Sequence, residues 1–191
     1  MIQQITERIV ESLIDNRMIK YEYRESYEYA ILCQIEQFIT VGSILVLAIF
    51  LKKCVPTLCF LLSFFSLRKR TGGFHMNTFI QCYFGTIAVY MCVLFLEPFI
   101  SIHILVALTV ISVIYIMFVG CVNHINMQLD RNELVELKKS ARIVLSLLML
   151  MMVFEIWLDV SRELIYCSAM GIIVCAVLLF IEKATGGDKC G

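Results

Sequence analysis

Six apolar runs, at about residues 30–51, 54–67, 76–96, 98–122, 142–158 and 164–181, leave this chain few folds to choose from. Segments this apolar belong in lipid, where backbone amides find no water and must be hydrogen-bonded within the protein. Helices meet that requirement. The third and fourth runs contain no Asp, Glu, Lys or Arg at all. The second is short against the ~17–25 residues a span needs, so it must borrow flanking residues or cross locally thin bilayer. The expected architecture is an all-α, polytopic membrane helical bundle of about six hydrophobic segments.

Composition agrees. The chain is 60% hydrophobic with a mean hydropathy of +0.86, whereas soluble domains are roughly 45–50% apolar. At 191 residues it has room for about six spans in a single domain covering 1–191. No repeat or low-complexity tract divides it. Sixteen basic and sixteen acidic residues cancel, so net charge points to no particular partner, and no nucleic-acid partner is expected. Residues 1–20 lack the basic region, apolar run and cleavage site of a secretory signal.

Where the charges fall is more informative. With both termini in the cytoplasm, Arg8, Arg17, Lys20, Arg24, Arg68, Lys69, Arg70, Arg131, Lys138, Lys139, Arg142, Lys183 and Lys189 lie inside, and only Lys52, Lys53 and Arg162 outside. That imbalance obeys the positive-inside rule and suits an even number of spans. It assigns the Arg68–His75 stretch to the cytoplasmic face of a multi-pass protein of the cell membrane.

Two polar regions flank the spans. In 1–29, Ile2, Ile5, Ile9 and Leu13 recur at helical spacing, with Gln3, Glu7, Arg8 and Glu11 elsewhere on the turn. That pattern predicts an amphipathic helix lying at the bilayer interface; the alternative is a soluble cap packed on the bundle. The cytoplasmic loop 123–141 contains a stretch with acids early and bases late, the order that complements a helix dipole. A short solvated helix is expected at about 130–139.

Nine cysteines form no CxxC pair and show no zinc spacing with the three histidines, so no metal or other cofactor is expected. Cys33, Cys59, Cys92, Cys167 and Cys175 sit in apolar runs, where cysteine serves as a small hydrophobe. His103, alone in an apolar run, reads as a histidine bonded to a helix carbonyl. Cys82 differs. It follows Arg68-Lys69-Arg70-Thr71-Gly72-Gly73-Phe74-His75 by seven residues. Gly72-Gly73 breaks the helix and opens backbone angles closed to other residues. Three cations precede the pair; they anchor the loop and favour a nearby thiolate. The expected catalytic segment is 68–82, with Cys82 as nucleophile and His75 as base. Seven residues span ~10.5 Å along one helix, so the two must be joined by a bend in the chain. Gln81 or a backbone amide is the candidate oxyanion donor, and no acid is near enough in sequence to act as a third member.

At this motif the chain resembles the AgrB (accessory gene regulator protein B) family of bacterial membrane endopeptidases. The likeness runs from Phe65 through His75 to Cys82 and, more weakly, over most of the chain. It implies that Cys82 matches the nucleophile, His75 the base, Gly73 the required glycine and Arg68 the first arginine, with Lys69 in place of the usual second one. Lys69 and Arg70 are candidates for contact with substrate. The resemblance further implies an AgrD-like propeptide as substrate. Cleavage would pass through a thioester on the enzyme, and release would give a thiolactone or lactone quorum-sensing peptide. It also implies a homodimer. The region 123–129 lacks the prolines usual there.

Two other readings compete. Glu36, Glu97 and Glu155 lie in or beside the spans, as acids on a transport route do, although no inverted repeat accompanies them. A non-catalytic scaffold would instead work through the N-terminal helix and the 123–142 loop.

Overall fold

All the apolar runs fold as helix. The computed structural model describes residues 2–16, 18–71, 79–121 and 131–185, and among them the elements are α1 (Ile2–Asp15), α2 (Arg24–Phe50), α3 (Cys54–Thr71), α4 (Phe79–Leu96), α5 (Ile102–Val119), α6 (Arg131–Trp157) and α7 (Arg162–Thr185), with one 3₁₀ turn at Tyr21–Tyr23. There is no strand among the described residues. The helices α2 to α7 correspond to the six apolar runs. Four contain stretches long and apolar enough to cross a bilayer: Ala30–Phe50, Ile102–Val119, Asn132–Trp157 and Arg162–Thr185. The protein is a multi-pass membrane protein built as a helical bundle.

Helix limits differ from the sequence-based expectation for local reasons. The run 54–67 continues to Thr71, so Arg68, Lys69 and Arg70 form the last turn of α3. That turn relieves the shortness of the second run: eighteen residues rise ~27 Å, close to the hydrocarbon thickness. Pro56 is tolerated because it stands in the first turn, where its missing N–H has no partner to lose. The polar stretch expected as a separate helix at 130–139 is instead, from Arg131 onward, the opening of α6. No Gly or Pro interrupts 131–157, so nothing stops the helix at the bilayer surface. Likewise α2 begins at Arg24, ahead of its apolar run. α5 is shorter than its run: Ser101 caps its start, accepting from the Ile104 amide at 3.5 Å. Gly120, at φ 73°, ends it.

Three links gather at one end of the bundle: 51–53 after α2, 97–101 after α4 and 158–161 after α6. Lys52 and Asp159 take left-handed conformations in the first and third. Lys53 Nζ lies 2.7 Å from carboxylate oxygens of both Glu97 and Glu163, and Arg162 donates to the Ile100 carbonyl. The two carboxylates, Glu163 foremost, hold the Lys53 ammonium well above the ordinary lysine range. The opposite end carries the termini of α3 and α5, the start of α6 and the last turns of α7.

At the core is α7. In its spanning stretch 61% of residues are buried, against 11–22% in the other three spans, which makes it the central helix with the others around it. Lipid tails are as apolar as side chains, so helices here gain little from hydrophobicity and depend on close packing by small residues. The α3–α7 pairing does this most fully. A Cβ on Gly171 would meet Ser63 Cβ at 2.7 Å, the Phe60 carbonyl oxygen at 2.8 Å and the Phe64 amide nitrogen at 3.0 Å, so only glycine permits that approach. Tyr90 of α4 closes the side of the pair, its hydroxyl 2.7 Å from Thr57 Oγ1, and Tyr166 of α7 donates to the Val93 carbonyl at 2.9 Å.

The N-terminal segment forms the helix that its spacing predicts, and that helix packs on α2. Thr6 and Val10 are buried as α1 packs on α2, while Ile5 and Ile9 stay exposed and available to lipid. Arg24 joins the two helices, 2.7 Å from Glu28 and 3.4 Å from Glu11.

Replacing Gly171 by Leu should separate α3 from α7, because two of the three opposing atoms are backbone and cannot swing aside. An overpacking cost of about 1–3 kcal/mol is expected, read as a lower unfolding midpoint in detergent. Lys53→Ala should cost about 1 kcal/mol, since the cluster is partly solvated. Folding raises the lysine's proton affinity, so this contribution is complete at neutral pH and fades only in strong alkali.

Candidate active site

The 68–82 segment begins in α3, ends in α4, and its middle part, 72–78, lies outside the described residues. That part includes His75, Gly72 and Gly73, so the bend expected between His75 and Cys82 also lies outside them. Cys82 itself is the fourth residue of α4, half-buried, with its carbonyl accepting from Thr86 Oγ1 at 2.8 Å. The next residue, Tyr83, donates to Ser43 Oγ at 3.0 Å and so holds this turn of α4 against α2.

The three cations of α3 have different surroundings. Successive residues on a helix point ~100° apart, so a run of three cannot share one environment. Lys69 is exposed. Arg70 turns to α6, donating through Nε to Ser140 Oγ at 2.8 Å and through a terminal nitrogen to the Ser66 carbonyl at 2.8 Å. Arg68 is half-buried and faces inward. Its guanidinium is within electrostatic range of Cys175, Cys82 and Glu182. Arg68 and Cys82, fourteen positions apart in sequence, stand on two different helices. Gln81 is exposed on α4, about a quarter turn from Cys82.

Behind Arg68 the wall is α7. Thr71, one turn on from Arg68, is buried with its hydroxyl 3.4 Å from Cys175 Sγ and 3.1 Å from the Leu67 carbonyl. Cys175 is buried, as its apolar setting led one to expect, yet it also faces the arginine. Glu182 is buried near the end of α7.

Two of the three acids considered for a transport route are engaged within the bundle. Glu97 belongs to the Lys53 cluster, Glu155 accepts from Ser168 Oγ at 3.0 Å, and Glu36 is half-buried in α2. The loop proposed at 123–141 is undescribed from 123 to 130; its remainder is α6. Where α5 ends, a Cβ on Gly120 would come within 2.8 Å of Lys138 Cγ, so the lysine stem lies across that turn.

These features define a helical membrane protein with a half-buried thiol and a half-buried arginine at one end of its bundle. The family model for Accessory gene regulator B matches residues 6–181. The chain belongs to the AgrB family, which makes it a membrane protein of agr quorum sensing, a system whose peptide component is related to AgrD. No curated protein and no solved structure matches the chain.

Thiol reactivity should sort by burial. Cys167 and Cys175 react only after the bundle opens locally, and each ~1.4 kcal/mol of opening is a factor of about ten. Iodoacetamide should therefore alkylate half-buried Cys82 more than about tenfold faster than either, when each thiol is followed by peptide mass spectrometry.

Proposed function

We propose that the protein is a membrane cysteine endopeptidase that processes an AgrD-like propeptide, with Cys82 as nucleophile and His75 as general base. The observation that carries this reading is the half-buried Cys82 thiol within electrostatic range of the Arg68 guanidinium, in a chain of the AgrB family. The thiolate, not the thiol, is the attacking species.

The chemistry proceeds in two stages. Cys82 sulfur bonds to the scissile carbonyl carbon while His75 accepts the thiol proton. The tetrahedral intermediate collapses with cleavage of the C–N bond, and His75 returns the proton to the leaving amine. The N-terminal part of the propeptide is then held on Cys82 as a thioester. A thiol or hydroxyl within that peptide attacks the thioester carbonyl, the C–S bond breaks, and the cyclic thiolactone or lactone departs as Cys82 regains its proton. Holding the internal nucleophile close replaces a high reactant concentration, and excluding water prevents hydrolysis to a linear peptide.

The site end of the bundle faces the cytoplasm with both termini, in keeping with the positive-inside pattern. A propeptide carrying an amphipathic helix would collect on that surface, and exposed Lys69 is available to acidic groups on it. The 68–82 segment forms the catalytic part of a single domain. Residues 123–141 belong to the cytoplasmic side by the same charge pattern, and the enzyme works as a homodimer.

Co-expression with the cognate propeptide provides the test. Cys82→Ala and His75→Ala should each lower processing by at least about a hundredfold, measured as disappearance of the precursor and appearance of its cyclic product. Full processing by Cys82→Ala would remove the peptidase assignment.

A further inference from the structure

The helix that carries Cys82 is packed unevenly along its length. Among the described side chains of α4 the buried ones are Tyr90 and Val93, and the Tyr90 hydroxyl lies 2.7 Å from Thr57 Oγ1. From Ile80 to Val89 every residue is half-buried or exposed. Sparse burial of this kind leaves a segment free to open locally. Cys82 stands in it, ~12 Å along the axis from Tyr90. A helix start also frays readily, because its first N–H groups have no partner within the helix.

A polar tether meets α4 at this point. The Tyr83 hydroxyl donates to Ser43 Oγ of α2 at 3.0 Å, and Ser43 in turn donates to the Ile39 carbonyl at 2.9 Å. The serine proton is thus directed at Ile39 and a lone pair at Tyr83, so the two bonds reinforce each other. In an apolar surrounding such a bond is costly to break, since no water replaces it. Cys82 and Tyr83 are consecutive and point ~100° apart, so any rotation of the helix that moves one moves the other equally.

We propose that Tyr83 is a positioning residue for Cys82, acting through its hydrogen bond to Ser43. Tyr90 fixes α4 deeper in the bundle, and the Tyr83–Ser43 bond sets the rotation of the turn that carries the thiol. The Tyr83 proton is already given to Ser43, so the residue works through the helix and not as an acid or oxyanion donor. Reactive groups need alignment to within ~0.5 Å, which an untethered helix start does not hold. This inference rests on the reading of Cys82 as nucleophile.

The full-length protein in proteoliposomes, supplied with an AgrD-like propeptide, provides the kinetic test. Tyr83→Phe and Ser43→Ala should each lower kcat about five- to twentyfold with KM within about twofold of native. The double variant should be no slower than either single one. Ser43→Thr keeps the hydroxyl and should stay within about twofold of the native kcat. Native processing by Ser43→Ala, expected if Tyr83 touches the propeptide directly, would overturn the proposal. So would additive losses, a change confined to KM, or a loss in Ser43→Thr equal to that in Ser43→Ala.

Hydrogen exchange tests the tether without propeptide. Tyr83→Phe and Ser43→Ala should each speed exchange of the amides of 83–88 about three- to tenfold and leave those around Tyr90 unchanged. Unchanged exchange at 83–88 would also overturn the proposal. The two readings fail separately: processing by Cys82→Ala removes the peptidase assignment, whereas native kcat in Tyr83→Phe beside an inactive Cys82→Ala removes only the positioning role.

Discussion

The close approach of α3 to α7 at Gly171 governs how the rest of this bundle is arranged. Lipid offers helices no hydrophobic reason to associate, so contact must come from surfaces that fit at short range. Gly171 removes the side chain that would hold α7 away from the Phe60 and Ser63 backbone region. With that contact made, the two helices share one register along their length. Lys53 then meets Glu163 at one end, and Thr71 meets Cys175 at the other. Arg68, one turn before Thr71 on α3, lies within electrostatic range of Cys175 and of Cys82 on α4.

The two ends of the bundle are built for different purposes. At one, three short links are drawn together by Lys53, Glu97, Glu163 and Arg162, and two left-handed residues make the turns tight. At the other, the connections are longer and the helix ends carry cations, a thiol and a buried acid.

Much of this was legible in the chain. Six apolar runs predicted six helices, and α2 to α7 are those helices. Helix limits were harder to read, because hydropathy marks where lipid begins and not where the helix stops. Residues 131–141 are polar yet continue the helical path into α6, and Arg68-Lys69-Arg70 extend α3 beyond its apolar run. Of the candidate site, Arg68 falls in the last turn of α3 and Cys82 in the first turn of α4, while His75 and Gly73 lie outside the described residues. The structure separates the three cations by helical angle, giving Arg70 to Ser140, Lys69 to solvent and Arg68 to the interior.

Patterns local in sequence determined the membrane class, the helical content and the short stretch that holds the candidate nucleophile, since each depends on neighbouring residues only. The contact of Thr71 with Cys175 is of another kind. It joins residues more than a hundred positions apart, and no local pattern encodes the angle at which two helices meet. Packing at Gly171 decided that angle and register.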